Sequence, residues 1–505
     1  MFDFMLTKTT PEDVLPFLSD ASNMPGGGAE RVVFAESAEE VAATLAEATR
    51  TRTQVTVSGA GTGIVGGRVP FGGIVLATDR MNKIGAIMKE VRGGHGSAQA
   101  GVILADYQKA ATAAGMYYPP DPTEWSCFLG GTVATNASGA RTFKYGPTRT
   151  YVRALQIALA TGQLVTLRRG EIHSTVDGLI RFPTAGGQVI EAQLPTYQMP
   201  RTSKHASGYF VEPGMDAIDL FIGSEGTLGV ITDVETALLD QPRGLLSGVI
   251  FFAAEADLLG FVADARAQSR ATRTGKNPTC LDARAIEYFD SRALNFMRHK
   301  FPAIPVNAAG AVFFEQETTT ETEDDLMSAW SDLIDRYNAW AADSWFANNE
   351  REQQNLRDFR HALPVLVNEW LTRHHQRKVS TDLAVPDAEF PAMLRFYQEQ
   401  LNSGGFEYVI FGHIGDNHVH VNILPRSDEE ADRARQLYGD FVRRAITVGG
   451  TISAEHGIGK IKRNYLRELY GDVHLREMAR LKKSFDPAGI LGRGIMFDES
   501  LIETA

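Results

Sequence analysis

Val55-Thr56-Val57-Ser58 runs directly into Gly59-Ala60-Gly61-Thr62-Gly63-Ile64-Val65-Gly66-Gly67, a β-branched stretch followed by five glycines within nine residues. Glycines at that density remove side chains where the backbone must come close to something, and their freed N–H groups can form a nest for an anion. The simplest anion to place there is a cofactor pyrophosphate. Gly61-x-Gly63-x-x-Gly66 also satisfies the dinucleotide fingerprint, which requires a helix immediately afterwards so that its N-terminus faces the phosphates. Pro70 and Gly72-Gly73 follow instead, and Ile74-Val75-Leu76-Ala77 already reads as the next strand. No crossover helix fits, so a Rossmann nicotinamide site is rejected. What is expected is a strand, glycine loop, strand unit that binds phosphate by backbone. The alternative at this point is a glycine-rich hairpin with no ligand.

At 505 residues the chain exceeds one ordinary core, and two or three domains are expected. Hydrophobic content of 43% and charged content of 22% are those of a globular protein. The formal charge of -12 argues against a nucleic-acid or anionic-membrane partner as the main business. No stretch approaches ~20 consecutive apolar residues, so no transmembrane segment is expected. Cys127 and Cys280 are far apart and outside any CxxC spacing, which supports neither a disulfide framework nor an iron-sulfur cluster. The expectation is a cytoplasmic enzyme with buried, inert thiols. Peripheral association with a membrane stays open.

Along the chain, Thr10-Pro11-Glu12-Asp13 opens a short helix, Val32-Val33-Phe34 reads as a strand, and Ser37-Ala38-Glu39-Glu40 caps a helix carrying Val41, Leu45 and Ala48. Leu104 to Ala114 is helical and ends at Gly115. Two further glycine concentrations follow. Tyr118-Pro119-Pro120-Asp121-Pro122 leads to Leu129-Gly130-Gly131 and Asn136-Ala137-Ser138-Gly139, and Gly223-Ser224-Glu225-Gly226 enters a strand through Gly229-Val230-Ile231. A planar cofactor lying between such loops would explain them together.

These three clusters resemble the flavin-binding half of the vanillyl-alcohol oxidase and p-cresol methylhydroxylase (PCMH) superfamily, over roughly residues 30 to 240. The resemblance implies an α+β fold: a PCMH-type FAD-binding domain of two packed subdomains, with a cap domain whose antiparallel sheet is covered by helices. It implies FAD contacts at Ser58, Gly59, Gly61, Thr62, Gly63, Gly66, Gly67, Pro122, Gly130, Gly131, Asn136, Gly139 and Gly226, with backbone at Val230 or Ile231. Relatives that attach FAD covalently use a His or Cys in or near these loops. The first loop has neither, so non-covalent FAD is expected.

From about residue 241 the texture changes. Gly248 to Phe252 and Ala311 to Glu315 read as strands separated by helical stretches, and Thr318 to Asp325 is an acidic turn into a helix over Leu326 to Trp340. The expected organisation is 1–240 for the FAD domain, 241–450 for the substrate cap with its metal site, and 451–505 for a C-terminal segment that carries Glu455-His456 back to the FAD domain.

Gly412-His413-Ile414-Gly415-Asp416-Asn417-His418-Val419-His420-Val421-Asn422 concentrates the chemistry. Strict alternation puts His418, His420 and Asn422 on one face of a strand, and imidazoles at i and i+2 can reach one metal ion. Three of the twelve histidines fall between 413 and 420, which favours a metal over structural roles. Ser427-Asp428-Glu429-Glu430 then caps a helix with an apolar stripe from Ala434 to Ile446 that stops at Gly449-Gly450, and Glu455-His456-Gly457-Ile458-Gly459 follows.

Together these motifs resemble the FAD-linked 2-hydroxyacid dehydrogenases of the superfamily, the branch of D-lactate, D-2-hydroxyglutarate and glycolate enzymes. The resemblance implies His413, His420 and Glu455 as ligands of a divalent metal, with Asn422 in the substrate shell and His456 as catalytic base; two imidazoles and a carboxylate suit Zn²⁺, and Mn²⁺, Fe²⁺ or Co²⁺ would also fit. Arg360 and Lys378 lie in stretches that resemble the family's carboxylate-binding segments. Two departures stand out. His418 occupies a position where relatives usually carry Asn, as a hydrogen-bonding group or a competing ligand. Leu491-Gly492-Arg493-Gly494 replaces the usual Asn-Pro-Gly, which puts one flavin contact in doubt.

The implied reaction is oxidation of a small D-2-hydroxyacid to the 2-oxoacid, with metal-assisted proton abstraction and hydride transfer to flavin. The electron acceptor is left open between a quinone, a cytochrome and an electron-transfer flavoprotein, and a homodimer is one arrangement the resemblance allows. Two other readings are weighed: a metal-independent flavin oxidase of a sugar, lactone or alcohol, and a flavin-binding electron-transfer subunit with no substrate of its own.

Overall fold

Val55–Ser58 and Ile74–Ala77 lie side by side and parallel, with Val55 opposite Ile74 and Ser58 opposite Ala77, in a computed structural model that describes residues 5–275 and 281–504. Parallel neighbours need a crossover, usually a helix, because the chain must return to the end it started from. Here the glycine loop makes the return alone, which rules out the hairpin. Arg31–Phe34 adds a second parallel neighbour to Ile74–Ala77, and Leu6–Lys8 closes the four-stranded sheet as an antiparallel edge. The helix Ala38–Thr51 starts at Ser37, whose Oγ accepts from the Glu40 N–H at 3.3 Å, and buries Val41, Leu45 and Ala48. The same core holds Val55, Ile74, Leu76, Val230 and Ile490.

A six-stranded antiparallel sheet follows, ordered Ile84–Lys89, Gly94–Gln99, Val230–Asp240, Val152–Ala158 and Leu164–Arg168, with Met116–Tyr117 joined to the far end of Val230–Asp240. Its central strand is the one entered from Gly223-Ser224-Glu225-Gly226. A hairpin, Leu179–Pro183 with Val189–Gln193, stands beside it.

Beyond Asp240 a third sheet of eight strands begins. Its order is Trp345–Ala347, Gly244–Phe252, Gly310–Thr318, Ala283–Asp290, Tyr408–Gly412, His418–Ile423 and Val379–Ser380, with Leu383–Ala384 also paired to His418–Ile423. Every pairing is antiparallel. Period-two alternation sends Val249, Phe251, Ala311 and Phe313 to one face, against Phe359, Leu363 and Val367 of the helix Glu350–Arg373. Ile250, Phe252, Val312 and Phe314 go to the other, against Leu258 and Phe261 of the helix Glu255–Gly275 and against Trp330. Both faces are therefore covered, which is why these strands read as continuous apolar runs.

The helix expected over Leu326 to Trp340 instead runs Glu323–Arg336. Its first turn is the acidic stretch itself, where carboxylates meet the positive end of the helix dipole. Ser427 caps Asp428–Thr447 through its Oγ, 3.2 Å from the Glu430 N–H, while the Glu430 carboxylate reaches back to the Arg426 N–H at 2.8 Å. The chain end returns to the first sheet: the Val55 N–H donates to the Ile490 carbonyl at 2.8 Å and the Gly492 N–H to the Val55 carbonyl at 3.1 Å. The stretch that departs from the family pattern thus pairs, through a parallel bridge at Leu491, with the first residue of the strand that feeds the glycine loop. No helix among the described residues is long and apolar enough to cross a membrane. Cys127 is buried, and burial pushes its thiol up to about 12, whereas Cys280 lies outside the described residues.

Candidate active site

The glycines of the three loops fall into two kinds. At Gly61, φ is +78° and a Cβ would lie 2.0 Å from the Arg68 guanidinium; at Gly139 it would lie 1.9 Å from the Asp121 carbonyl, and at Gly130 2.5 Å from the Ala100 methyl. Those positions exclude a side chain because protein already fills the space. At Gly63, Gly67 and Gly131 a Cβ would meet nothing within 4 Å. Glycine there faces open space, the room a backbone-bound ligand needs. The loops therefore fit a cofactor with a phosphate bridge.

Around them, Arg68 clamps the first loop by donating to the Gly59 carbonyl at 3.2 Å and to the Pro16 carbonyl at 2.6 Å. Ser58 is fully buried, its carbonyl taken by the Thr78 N–H at 3.1 Å, while the Thr62 hydroxyl has no hydrogen bond among the described residues. A Cβ at Gly59 would meet only the Phe128 ring, at 3.9 Å, and Pro122 is half-buried. Asn136 has φ +49°, and its Oδ1 accepts from the Arg149 N–H at 3.0 Å, so its side chain braces the second loop. Val230 and Ile231 pair with Ala158 and Ile157.

Glu225 links these loops to the C-terminal segment. Both its oxygens accept at 2.7 Å, from the Ile458 and Gly459 N–H groups, and burial pushes its carboxyl up to about 7 despite those donors. Gly226, with φ +71°, completes that turn against Val57. Next to it the Lys460 N–H donates to the Val65 carbonyl at 2.9 Å, and Lys460 Nζ reaches the Gly66 carbonyl at 3.3 Å. The stretch carrying Glu455 and His456 is thereby fastened to the first glycine loop.

Glu455 is the centre of the polar cluster. Its Oε1 lies 3.4 Å from His413 Nε2, 3.2 Å from His420 Nε2 and 3.5 Å from His456 Nε2. Its Oε2 faces Lys204 Nζ at 2.7 Å, the Ser138 hydroxyl at 3.4 Å and His418 Nδ1 at 3.9 Å. Burial would raise this carboxyl, but Lys204 and His413 hold it well below the usual range. His413 follows the strand Tyr408–Gly412 and His420 sits in the next strand, so one tight turn faces their imidazoles. Asn417, with φ +52°, makes that turn, and Asp416 is tied to Ser203 at 3.1 Å, outside the cluster.

Outer partners aim each ring. His413 Nδ1 meets Glu287 Oε1 at 2.7 Å, and His420 Nδ1 meets the Thr381 carbonyl at 3.0 Å. Burial works against protonation of His413, yet Glu287 beside it pulls the imidazole up to about 9. His418 is wholly buried, its Nε2 3.2 Å from Asp382 Oδ1, and burial lowers it to about 3. Asp382 also accepts from the backbone N–H groups of Ala454, Glu455 and His456 at 3.1 to 3.2 Å and from Lys462 Nζ at 2.6 Å. One ligating atom from each of His413, His418, His420 and Glu455 lies within 4.8 Å of the others, as do those of Asp382, Glu455 and His456. Imidazole and carboxylate donors gathered at that spacing suit a divalent transition metal.

His456 is the most exposed member, with 25% of its side chain accessible against 5% for His413 and 0% for His418. Burial lowers its imidazole to about 4, although Asp382 and Glu455 pull the other way. It is neutral at physiological pH and able to accept a proton. Next to the cluster is a cavity of about 40 Å³ lined by Glu287, Arg360, His361, His413, His420 and Thr123. Arg360 is not a free fork, since its Nε pairs with Glu287 Oε2 at 3.1 Å and its Nη1 meets His361 Nε2 at 2.9 Å. Lys378 is solvent-exposed, does not line that cavity, and makes no hydrogen bond or ion pair among the described residues. Asn422 is buried on the face that carries His420, with its amide 3.4 Å from the His420 carbonyl.

Sequence reasoning did not single out Glu287, Lys204, Asp382 or Lys462. Glu287 had a usable signal, a carboxylate inside the apolar run Ala285-Ile286-Glu287-Tyr288-Phe289. Such a residue is buried only if paired. Lys204 had none.

Comparison with known proteins identifies the family of the chain. Residues 29–168 match the FAD binding domain family, and residues 258–495 match the C-terminal domain of FAD linked oxidases. The chain is 31% identical to D-lactate dehydrogenase of Anaerostipes hadrus over 92% of this chain and 89% of that one. It is 27% identical to glycolate oxidase subunit GlcD of Bacillus subtilis, over 98% of this chain and 97% of that one. With D-2-hydroxyglutarate dehydrogenase of Stutzerimonas stutzeri it shares 27% identity, over 92% and 90%. A solved structure of alkyldihydroxyacetonephosphate synthase has the same fold, with a TM-score of 0.65 at 16% identity, over 96% of this chain and 81% of that one. The chain belongs to the PCMH-type FAD-linked oxidoreductases, together with relatives named D-lactate dehydrogenase, glycolate oxidase subunit GlcD and D-2-hydroxyglutarate dehydrogenase.

Proposed function

We propose that the protein is a dehydrogenase that oxidises a D-2-hydroxyacid, D-lactate, D-2-hydroxyglutarate or a close relative, to the 2-oxoacid. The observation that carries this reading is the convergence of His413, His420 and Glu455 on one point, with the neutral, accessible His456 3.5 Å from the same Glu455 oxygen. The names of the relatives supply the substrate class. The loops at 58–67, 130–139 and 226–231 would hold FAD without a covalent bond, because the first loop has no His or Cys and the Cys127 thiol keeps its proton. His413, His420 and Glu455 would hold the divalent ion, Zn²⁺ by their chemistry.

When bound, the flavin offers a hydride acceptor and the ion a Lewis acid that lowers the pKa of a hydroxyl group. The chain's residues do the rest. His456 Nε2 takes the hydroxyl proton, and Asp382, 3.4 Å from Nδ1, steadies the imidazolium that results. Arg360, whose Nη2 is not committed to Glu287, receives the substrate carboxylate, with Lys378 as a second, exposed cation. Asn422 supports the substrate side of the His420 strand. The bond from the α-carbon to its hydrogen breaks as hydride, and the product is the 2-oxoacid.

The test is the anaerobic visible spectrum of the purified protein before and after addition of D- and L-2-hydroxyacids, with and without prior chelation. Bleaching of the flavin band by a D-acid, lost on chelation and restored by metal, is the expected result. A flavin band that no hydroxyacid bleaches with metal present would overturn the reading.

A further inference from the structure

His418 stands where the resembled family pattern has asparagine, and its surroundings are those of a ligand. It is 0% exposed, and neither ring nitrogen makes a well-formed hydrogen bond. Its Nε2 is 3.2 Å from Asp382 Oδ1 but off the line a hydrogen bond needs. Buried polar atoms are almost always satisfied, so two on one ring call for a partner.

The three imidazoles share one layout. His413 gives Nδ1 to Glu287 and turns Nε2 to Glu455; His420 gives Nδ1 to the Thr381 carbonyl and turns Nε2 to Glu455. His418 has its nitrogens exchanged: Nε2 lies beside Asp382 Oδ1 without a formed hydrogen bond, and Nδ1 faces the second oxygen of Glu455, Oε2, at 3.9 Å. An acceptor on one nitrogen that aims the other at a common point is how metal-ligating histidines are oriented. The four ligating atoms of His413, His418, His420 and Glu455 lie within 4.8 Å of one another, a spacing that one ion can bridge.

We propose that His418, through Nδ1, is a fourth protein ligand of the divalent ion, giving three imidazoles and one carboxylate, with Asp382 as the acceptor that orients it. This rests on the reading that His413, His420 and Glu455 bind that ion. It follows that this chain holds its ion more tightly than a version with asparagine there.

The test is zinc-edge X-ray absorption on the whole flavoprotein loaded with Zn²⁺, which counts coordinated imidazoles, together with Zn²⁺ affinity by competition with a chromophoric chelator. Three imidazoles in the wild type, two in His418→Asn, and affinity at least about tenfold weaker in the variant are expected. The wild-type count stands even if the variant fails to fold. Two imidazoles in wild-type protein would overturn the assignment of His418 while leaving His413 and His420 as ligands. A zinc shell with no imidazole would instead overturn the metal reading itself, and the fourth ligand with it.

Discussion

Glu287 Oε1 and His413 Nδ1, both on buried side chains, meet at 2.7 Å, and that contact turns His413 Nε2 toward Glu455. Glu287 stands in the middle of the eight-stranded sheet and also holds Arg360 at 3.1 Å. One carboxylate therefore orients both His413, the proposed metal ligand, and Arg360, the proposed substrate-binding cation. Replacing it by glutamine keeps the shape and removes the charge. Glu287→Gln is expected to weaken Zn²⁺ retention by about 10- to 100-fold, the usual cost of losing a partner behind a metal-bound histidine. Chelator competition measures it, and unchanged affinity would refute the coupling.

The same pair sets a pH dependence in the metal-free protein. His413, pulled up to about 9, holds a proton at pH 7 that binding of an ion must expel. Metal affinity should rise with pH between 7 and 9, by up to about tenfold per unit, and flatten above. Calorimetry in buffers of different ionisation enthalpy should find about one proton released per ion bound near pH 7. The stability signs also follow. The raised His413 contributes stability below about pH 6.5 that is lost as pH rises through about 9. Glu287, held down to about 2 by His413 and Arg360 against the effect of burial, contributes stability above about pH 4.5 that is lost as pH falls through about 2.

His456 is neutral over most of the working range, because burial lowers it to about 4. Its removal should therefore act on rate more than on folding. His456→Asn is expected to slow anaerobic flavin reduction about 10²- to 10⁴-fold in stopped flow. In the wild type the rate should fall only as pH drops toward 4. Reduction at the wild-type rate in the variant would take His456 out of the mechanism.

Gly459 has φ +52°, and a Cβ there would lie 2.1 Å from the Val65 carbonyl. Both causes strain an alanine at this point, where the C-terminal segment grips the glycine loop. Gly459→Ala should cost about 1 to 3 kcal/mol in stability and lower the flavin content of the purified protein. Thermal melting and the ratio of flavin to protein absorbance report on it. A fully loaded variant with an unchanged Tm would show that the grip does not support the flavin loop.

Short-range chemistry was legible in the sequence. Ser37 and Ser427 cap their helices because a hydroxyl three residues before an N–H can reach it whatever the rest of the chain does. Alternation from His418 to Ile423 set which side chains share a face, and the density of glycines marked where the backbone leaves space for a ligand. The motif histidines and Glu455 could be named because their spacing and local order are features of the chain itself. What tertiary structure alone decided was which distant groups those residues meet. Asp382 reaches the backbone of 454–456, Glu225 the backbone of 458–459, Glu287 the rings and guanidinium of His413 and Arg360, and Lys204 the far oxygen of Glu455. Sheet order also had to be seen, since parallel pairing across the glycine loop depends on which strand lies next to which, not on the strands' own composition. Burial strengthens each of these long-range pairs by removing water, and burial is a property of the packed molecule that no local stretch of sequence contains.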